Sequence, residues 1–116
     1  MFLQLAHTRM KVFQQSQSLC LECYKITKLY PPEERFALTQ QIRRAAISVH
    51  LNIAEGCSRK SDAERKRFFE IARGSVIEID TAIDIAHKLN YTTLEDLQPL
   101  GQLIIATFKM LTGMMS

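Results

Sequence analysis

The sequence predicts an all-α protein whose helices pack as an antiparallel up-down-up-down four-helix bundle. Apolar residues recur at spacings of three and four along four separate stretches, and proline, glycine or helix-capping residues separate those stretches. No stretch shows the two-residue alternation of a strand, and no segment repeats. Because the connections are short, consecutive helices are expected to be neighbours, and the antiparallel bundle is the simplest packing for them.

The first helix is predicted over residues 8–30. Pro31 and Pro32 end it, because proline has no amide proton and disfavours helical geometry in the residue before it. Pro32 can then open a second helix, which is predicted to end near Gly56. The predicted core stripes of these two helices are Val12, Ser16, Leu19, Cys23, Ile26 and Tyr30, and then Leu38, Ile42, Ala45, Val49, Asn52 and Gly56.

The third helix is predicted from Ser61 to about residue 90, because Ser61 and Glu64 have the spacing of a capping box. Gly74 lies in its middle, where glycine costs about 1 kcal/mol relative to alanine, so close packing of another helix is expected there. The predicted core positions are Phe68, Ala72, Ser75, Ile79, Ala82 or Ile83, Ala86 and Leu89.

The fourth helix is predicted to follow a second capping pair, Thr93 and Asp96, and to end near Gly113. Pro99 lies one turn inside this stretch and is expected to delay the start of the helix. The predicted core positions are Leu97, Leu100, Ile104, Thr107, Phe108 and Leu111.

Length and composition indicate a single domain over residues 1–116. Its first nine residues carry no helical stripe, and one expectation is that they are disordered. No run of about 18 apolar residues is present, so no membrane span is predicted. The opening residues lack the pattern of a secretory signal, and the odd number of cysteines argues against a disulfide framework. We therefore expect a cytoplasmic protein.

The second and third helices carry more apolar residues than one packing face needs. Several of them lie off the core stripes and predict a second buried face. In a chain of this length, that face is expected to meet another subunit of a homo-oligomer. The predicted interface residues are Ile47, Leu51, Ile71 and Ile85.

Polar residues follow one another along the second helix at spacings of three and four. After Arg44, the positions Ser48, Asn52 and Glu55 form a seam on a helix that is otherwise mainly apolar. We interpret these three residues as a structural network that fixes the register between helices. A ligand site built from Asn52 and Glu55 is the alternative.

Positive charge is concentrated near the connection between the second and third helices. Residues 35–73 hold nine Lys or Arg against four Asp or Glu, whereas residues 74–116 hold two against five. Such a cluster either is a solvated face or binds phosphate groups, and phosphate binding needs no base-reading motif. The candidate phosphate contacts of this cluster are Arg59, Lys60, Arg65, Lys66 and Arg67.

No motif of a catalytic or nucleotide-binding site is present, so we expect a protein that is not an enzyme and uses no cofactor. Cys20 and Cys23 are interpreted as core residues on one helix. A redox dithiol, or half of a metal site shared between subunits, is the alternative for this pair. A small enzyme or metal protein that uses Cys20, Cys23 or Glu55 is therefore kept as a third functional class.

The second helix also carries the pattern QxRRAxxSxxxNIAEG followed by a basic turn. It resembles the proteins encoded by intervening sequences within bacterial 23S rRNA genes, and the resemblance extends over residues 10–91. The residues that carry it are Gln41, Arg43, Arg44, Ala45, Ser48, Asn52, Ile53, Ala54, Glu55, Gly56 and Arg59.

This resemblance implies a four-helix bundle. Related accessory proteins of the reverse transcriptase in diversity-generating retroelements form pentameric rings with basic surfaces. A homopentamer that binds RNA or a reverse transcriptase-like protein is therefore expected. The nucleic-acid contacts that the resemblance implies are Arg43, Arg44, Arg59, Lys60, Arg65, Lys66 and Arg67. A scaffold that binds only protein partners is the competing function, and salt-sensitive retention on RNA would distinguish the two.

Overall fold

The computed structural model describes every residue from Met1 to Ser116 and contains helices and no strand, as predicted. No helix is both long enough and apolar enough to cross a lipid bilayer. Two 3-10 helices, Ala6–Arg9 and Pro32–Glu34, precede the first and second α-helices. The four α-helices are α1 (Lys11–Thr27), α2 (Leu38–Ser58), α3 (Asp62–Lys88) and α4 (Gln98–Met114).

The four α-helices surround one apolar core. Each helix lies next to two others, in the pairs α1–α2, α2–α3, α3–α4 and α4–α1. The α2–α3 pair makes the most extensive contact. Phe69, Leu19, Ile42, Ile79 and Leu100 are among the largest side chains that are completely or almost completely buried. Each α-helix contributes at least one of them, so all four depend on the same core.

The predicted core stripe of α1 is buried throughout. In α3 the stripe is shifted by one residue in two places, because Phe69 and Val76 are buried while Phe68 and Ser75 lie at its edge. The two registers share Ala72 and most later positions, so periodicity could not separate them. Leu89, predicted to be buried, is 49% exposed because it lies after the last turn of α3.

The sequence suggested that α2 ends at Gly56, but the helix continues to Ser58. Gly56 is buried instead at the contact with α3, where an added Cβ would lie 2.6 Å from Cε1 of Phe69. The missing side chain therefore allows the two helices to approach closely. Gly74 was expected to have this role, but nothing lies within 4 Å of its Cβ position.

The ends of the helices follow the local chemistry. Pro32 opens only a 3-10 turn, and α2 begins at Leu38 because Ala37 before it has the non-helical angles φ −125° and ψ −104°. Ser61 caps α3 as predicted, since its Oγ accepts a hydrogen bond from the amide of Glu64 at 3.0 Å. Pro99 lies in the first turn of α4, which begins one residue earlier.

Candidate nucleic-acid interface

Five basic residues surround the connection between α2 and α3, and we call this cluster the basic turn. Two of its members form ion pairs with a carboxylate four residues earlier in the chain. Arg59 contacts the carboxylate of Glu55 at 2.8 Å, and Lys66 contacts that of Asp62 at 3.2 Å. Both ion pairs are exposed to solvent, where such pairs contribute little to stability. The basic turn consists of Arg59, Lys60, Arg65, Lys66 and Arg67.

The other three cations of the basic turn, Lys60, Arg65 and Arg67, have no ion-pair partner in the chain. Lys60 and Arg65 line a hollow of about 350 Å³ beside the α2–α3 connection. The same hollow is lined by Met114 at the end of α4 and by Phe69 and Asp62 of α3, and the Asp62 carboxylate is the ion-pair partner of Lys66. Lys60 and Arg65 therefore lie at one hollow, and Arg67, two residues after Arg65 on α3, adds a third cation without an ion pair near the same end of the molecule. Such charges attract anions.

Arg43 and Arg44 lie near the other end of α2 and do not join the basic turn. Arg59 lies fifteen positions after Arg44, which corresponds to about 22 Å along an α-helix. Arg43 is fixed against α1, because its Nε donates to Oγ1 of Thr27 at 2.8 Å and its guanidinium lies 4.7 Å from the ring centroid of Tyr24. Arg44 is exposed and forms no ion pair. The candidate contacts thus form two separate groups.

The four predicted interface residues all keep substantial exposure within one chain. Ile47 is 38% exposed, Leu51 58%, Ile71 43% and Ile85 49%. Ile77, also on α3, is 52% exposed. Helices α2 and α3 therefore bury one apolar face in the core and leave further large apolar side chains in contact with solvent.

The polar seam is only partly one network. Oγ of Ser48 lies 2.9 Å from Oγ of Ser75, so it joins α2 to α3, and the side-chain amide of Asn52 donates to the carbonyl of Ser48 at 2.8 Å. Glu55 instead forms its ion pair with Arg59 and is exposed. Ser48, Asn52 and Ser75 thus form a hydrogen-bonded crossing, whereas Glu55 is part of the surface of the basic turn.

A second polar crossing, between α1 and α2, was not foreseen from the sequence. Oγ of Ser16 donates to the carbonyl of Phe13 at 2.9 Å and lies 2.7 Å from Nδ1 of His50. Because the hydroxyl has a single proton, Nδ1 of His50 must donate to Ser16. Burial, and secondarily the nearby His7, lower the pKa of His50. The residues are 34 positions apart, so no local pattern links them.

The cysteines are separate thiols in an apolar setting. Cys23 is completely buried in the core, and burial together with Cys20 and Glu22 raises the pKa of its thiol to about 12. Cys20 is partly buried, which raises the pKa of its thiol. Sγ of Cys57 lies 3.8 Å from Sδ of Met10. No group of three or more His, Cys, Asp or Glu side chains is arranged to hold a metal ion.

Comparison with protein families identifies one match. Residues 8–113 match the family described as 23S rRNA-intervening sequence protein, so the match includes α4 as well as the motif on α2. Comparison with the curated proteins finds no relative.

A solved structure has a similar fold. It is the crystal structure, at 1.70 Å resolution, of a protein of unknown function from the S23 ribosomal protein family of Bacteroides thetaiotaomicron VPI-5482. The TM-score is 0.83 with 21% sequence identity, and the alignment covers 90% of this chain and 98% of that one. At this identity the likeness concerns the fold.

Proposed function

The chain belongs to the family of 23S rRNA-intervening sequence proteins, and from that premise we propose that it is a non-enzymatic homo-oligomer that binds nucleic acid through the basic turn. The proposal includes an antiparallel four-helix bundle, assembly into a pentamer and a cytoplasmic location. The pentamer rests on the resemblance to the ring-forming accessory proteins of retroelement reverse transcriptases. A reverse transcriptase-like protein is the alternative partner for the same basic surface.

The observation that carries the proposal is the group of three unpaired cations at the basic turn. Lys60, Arg65 and Arg67 have no carboxylate partner within the chain, so a phosphate would not need to displace one. Phosphate contacts of this kind provide affinity for nucleic acid without reading its sequence. In a closed ring each subunit would present the same three charges, and one strand that reached several copies would bind with increased avidity.

The test measures how binding depends on salt. Each phosphate contact on a single strand contributes roughly 0.7 to the slope of log affinity against log salt, so replacing Lys60, Arg65 and Arg67 together by Gln should reduce the slope by about 2 for each subunit that the strand contacts. The matched control replaces Lys25, Lys88 and Lys109 by Gln, which removes the same charge from other surfaces. Fluorescence anisotropy of a labelled single-stranded RNA gives the slopes. Equal slopes for the two triple variants would refute binding through the basic turn.

A scaffold that binds only protein is the second candidate, and the exposed isoleucines of α2 and α3 favour it. Ile47, Ile71, Ile77 and Ile85 offer apolar surface that a protein partner could cover. Under this alternative, RNA would not bind at physiological salt, whereas the oligomer would still form. The anisotropy experiment and a mass measurement together separate the two functions.

A further inference from the structure

A second basic surface lies at the opposite end of α2 from the basic turn. It is a groove of about 280 Å³ between the last turns of α1, the segment 35–37 and the first turns of α2. We call it the arginine–aromatic groove, and no carboxylate lines it. Its volume is just below the roughly 300–1,000 Å³ that is typical of small-molecule sites. Its principal lining residues are Tyr24, Arg35, Phe36, Arg43, Arg44 and Ile47.

Phe36 gives the groove an aromatic ring that is open to solvent. The side chain is 81% exposed, although phenylalanine is normally drawn into a core. The backbone holds it there, because the amide of Arg35 donates to the carbonyl of Pro32 and the amide of Ala37 to that of Glu34. The guanidinium of Arg35 lies 5.9 Å from the ring centroid. Such a ring offers an unoccupied face on which a planar group can stack.

Three arginines supply the positive charge of the groove. Arg43 is already positioned by Thr27 and Tyr24, so it loses little side-chain freedom when an anion binds. A neighbouring hollow of about 400 Å³ shares Arg35 and Arg43 with the groove and adds Lys28, and no carboxylate lines it either. An exposed ring beside a continuous cationic surface is the combination by which proteins hold single-stranded nucleic acid.

We propose that the arginine–aromatic groove binds one unstacked nucleobase on Phe36 and the attached phosphate on Arg35, Arg43 and Arg44. The inference deepens the proposed function, because it takes the same ligand class and adds a base-stacking contact. A base with its phosphate is found both in a free nucleotide and in a single strand. The groove lies about 22 Å along α2 from the basic turn, so the two sites can be tested separately.

The experiment compares two labelled probes on the full-length protein, an oligouridylate and an abasic strand of the same length and charge. Stacking contributes about 1–3 kcal/mol per base, so Phe36→Ala should weaken oligouridylate binding by about fivefold or more and leave abasic binding unchanged. Phe36→Tyr should keep the wild-type preference for the base-bearing probe. Leu29→Ala is the matched control, because Leu29 is 84% exposed but lies outside the groove, and it should affect neither probe.

Three results would overturn the inference. The first is that wild-type protein does not prefer oligouridylate over the abasic strand, and the second is that Phe36→Ala weakens the binding of both probes equally. The third is a change in the mass of the oligomer. Loss of oligomer mass in Phe36→Ala would show that a second copy covers the groove. Competition with uridine monophosphate identifies the source of the base: displacement at micromolar concentration indicates a free nucleotide, and displacement only at millimolar concentration indicates a strand.

The proposed function fails by a different readout. The triple Gln variant of the basic turn could keep the wild-type salt slope while Phe36→Ala still removes the preference for the base. That result would refute nucleic-acid binding through the basic turn and support binding in the arginine–aromatic groove.

Discussion

Replacing Gly56 by alanine should destabilise the protein, whereas the same change at Gly74 should stabilise it. Both residues lie inside α-helices, so both substitutions gain about 1 kcal/mol of helix propensity. They differ in the space around the new methyl group. At Gly56 the methyl would lie 2.6 Å from Cε1 of Phe69 and 3.1 Å from Cβ of Phe68, whereas at Gly74 nothing lies within 4 Å.

The magnitude follows from how little Phe69 can move. Its side chain is 2% exposed and borders the hollow beside the α2–α3 connection, so a shift of the ring toward that hollow would relieve only the 2.6 Å contact, whereas Cβ of Phe68 at 3.1 Å cannot shift without α3 itself. Overpacking a closely packed site costs about 1–3 kcal/mol. Because the propensity gain is common to both variants, Gly56→Ala should be less stable than Gly74→Ala by about 1–3 kcal/mol. At about 4 °C per kcal/mol for a domain of this size, the melting temperatures should differ by about 4–12 °C.

Thermal unfolding followed by circular dichroism provides the measurement, at one protein concentration because the stability of an oligomer depends on concentration. Gly101→Ala is a second control, since its Cβ position on α4 is also free of neighbours. Destabilisation at Gly74 but not at Gly101 would indicate that another subunit packs on α3. Equal melting temperatures for Gly56→Ala and Gly74→Ala would refute the close contact between α2 and α3.

Two further predictions concern the interface and the α1–α2 crossing. Leu51→Glu should dissociate the oligomer in sedimentation, because burying an unpaired charge costs several kcal/mol, whereas Ile105→Glu on α4 should not; an unchanged mass for Leu51→Glu would place the interface elsewhere. The lowered pKa of His50 means that its contribution to stability is complete above its ordinary pKa of 6.5 and is lost as the pH falls below that value. His50→Asn keeps an N–H donor for Ser16 but does not titrate, so the free energy of unfolding measured in denaturant titrations should depend less on pH between about 7.5 and 5. Identical pH dependence in the two proteins would contradict the lowered pKa of the half-buried His50.

Periodicity was sufficient to predict the helices because each α-helix buries a continuous stripe. The α1 positions from Val12 to Tyr30 show this, since spacing alone placed them in the core. Spacing could not decide between Phe68 and Phe69. They lie four and three residues before Ala72, and either spacing places a residue on the same face of a helix as Ala72. Only the packed structure selects the residue whose ring fits against Gly56.

The candidate site was predicted in composition but not in arrangement. The family resemblance grouped Arg43 and Arg44 with the basic turn as nucleic-acid contacts, but the length of α2 separates them from it. Ion pairs such as Lys66 with Asp62 could be anticipated from the spacing of four residues. Contacts between distant segments, such as Ser16 with His50, depend on tertiary packing and leave no local signal.

The burial of the cysteines has a consequence for reactivity. Thiolates, not thiols, react with oxidants and alkylating agents, and burial raises the pKa of Cys20, Cys23 and Cys57 alike. At Cys57 the charge of Arg65 opposes this effect but is the smaller influence. All three side chains therefore remain protonated near neutral pH. The protein should tolerate mild oxidants, and its mass in solution should be the same with and without reductant, so any assembly would be held by non-covalent contacts rather than by disulfides.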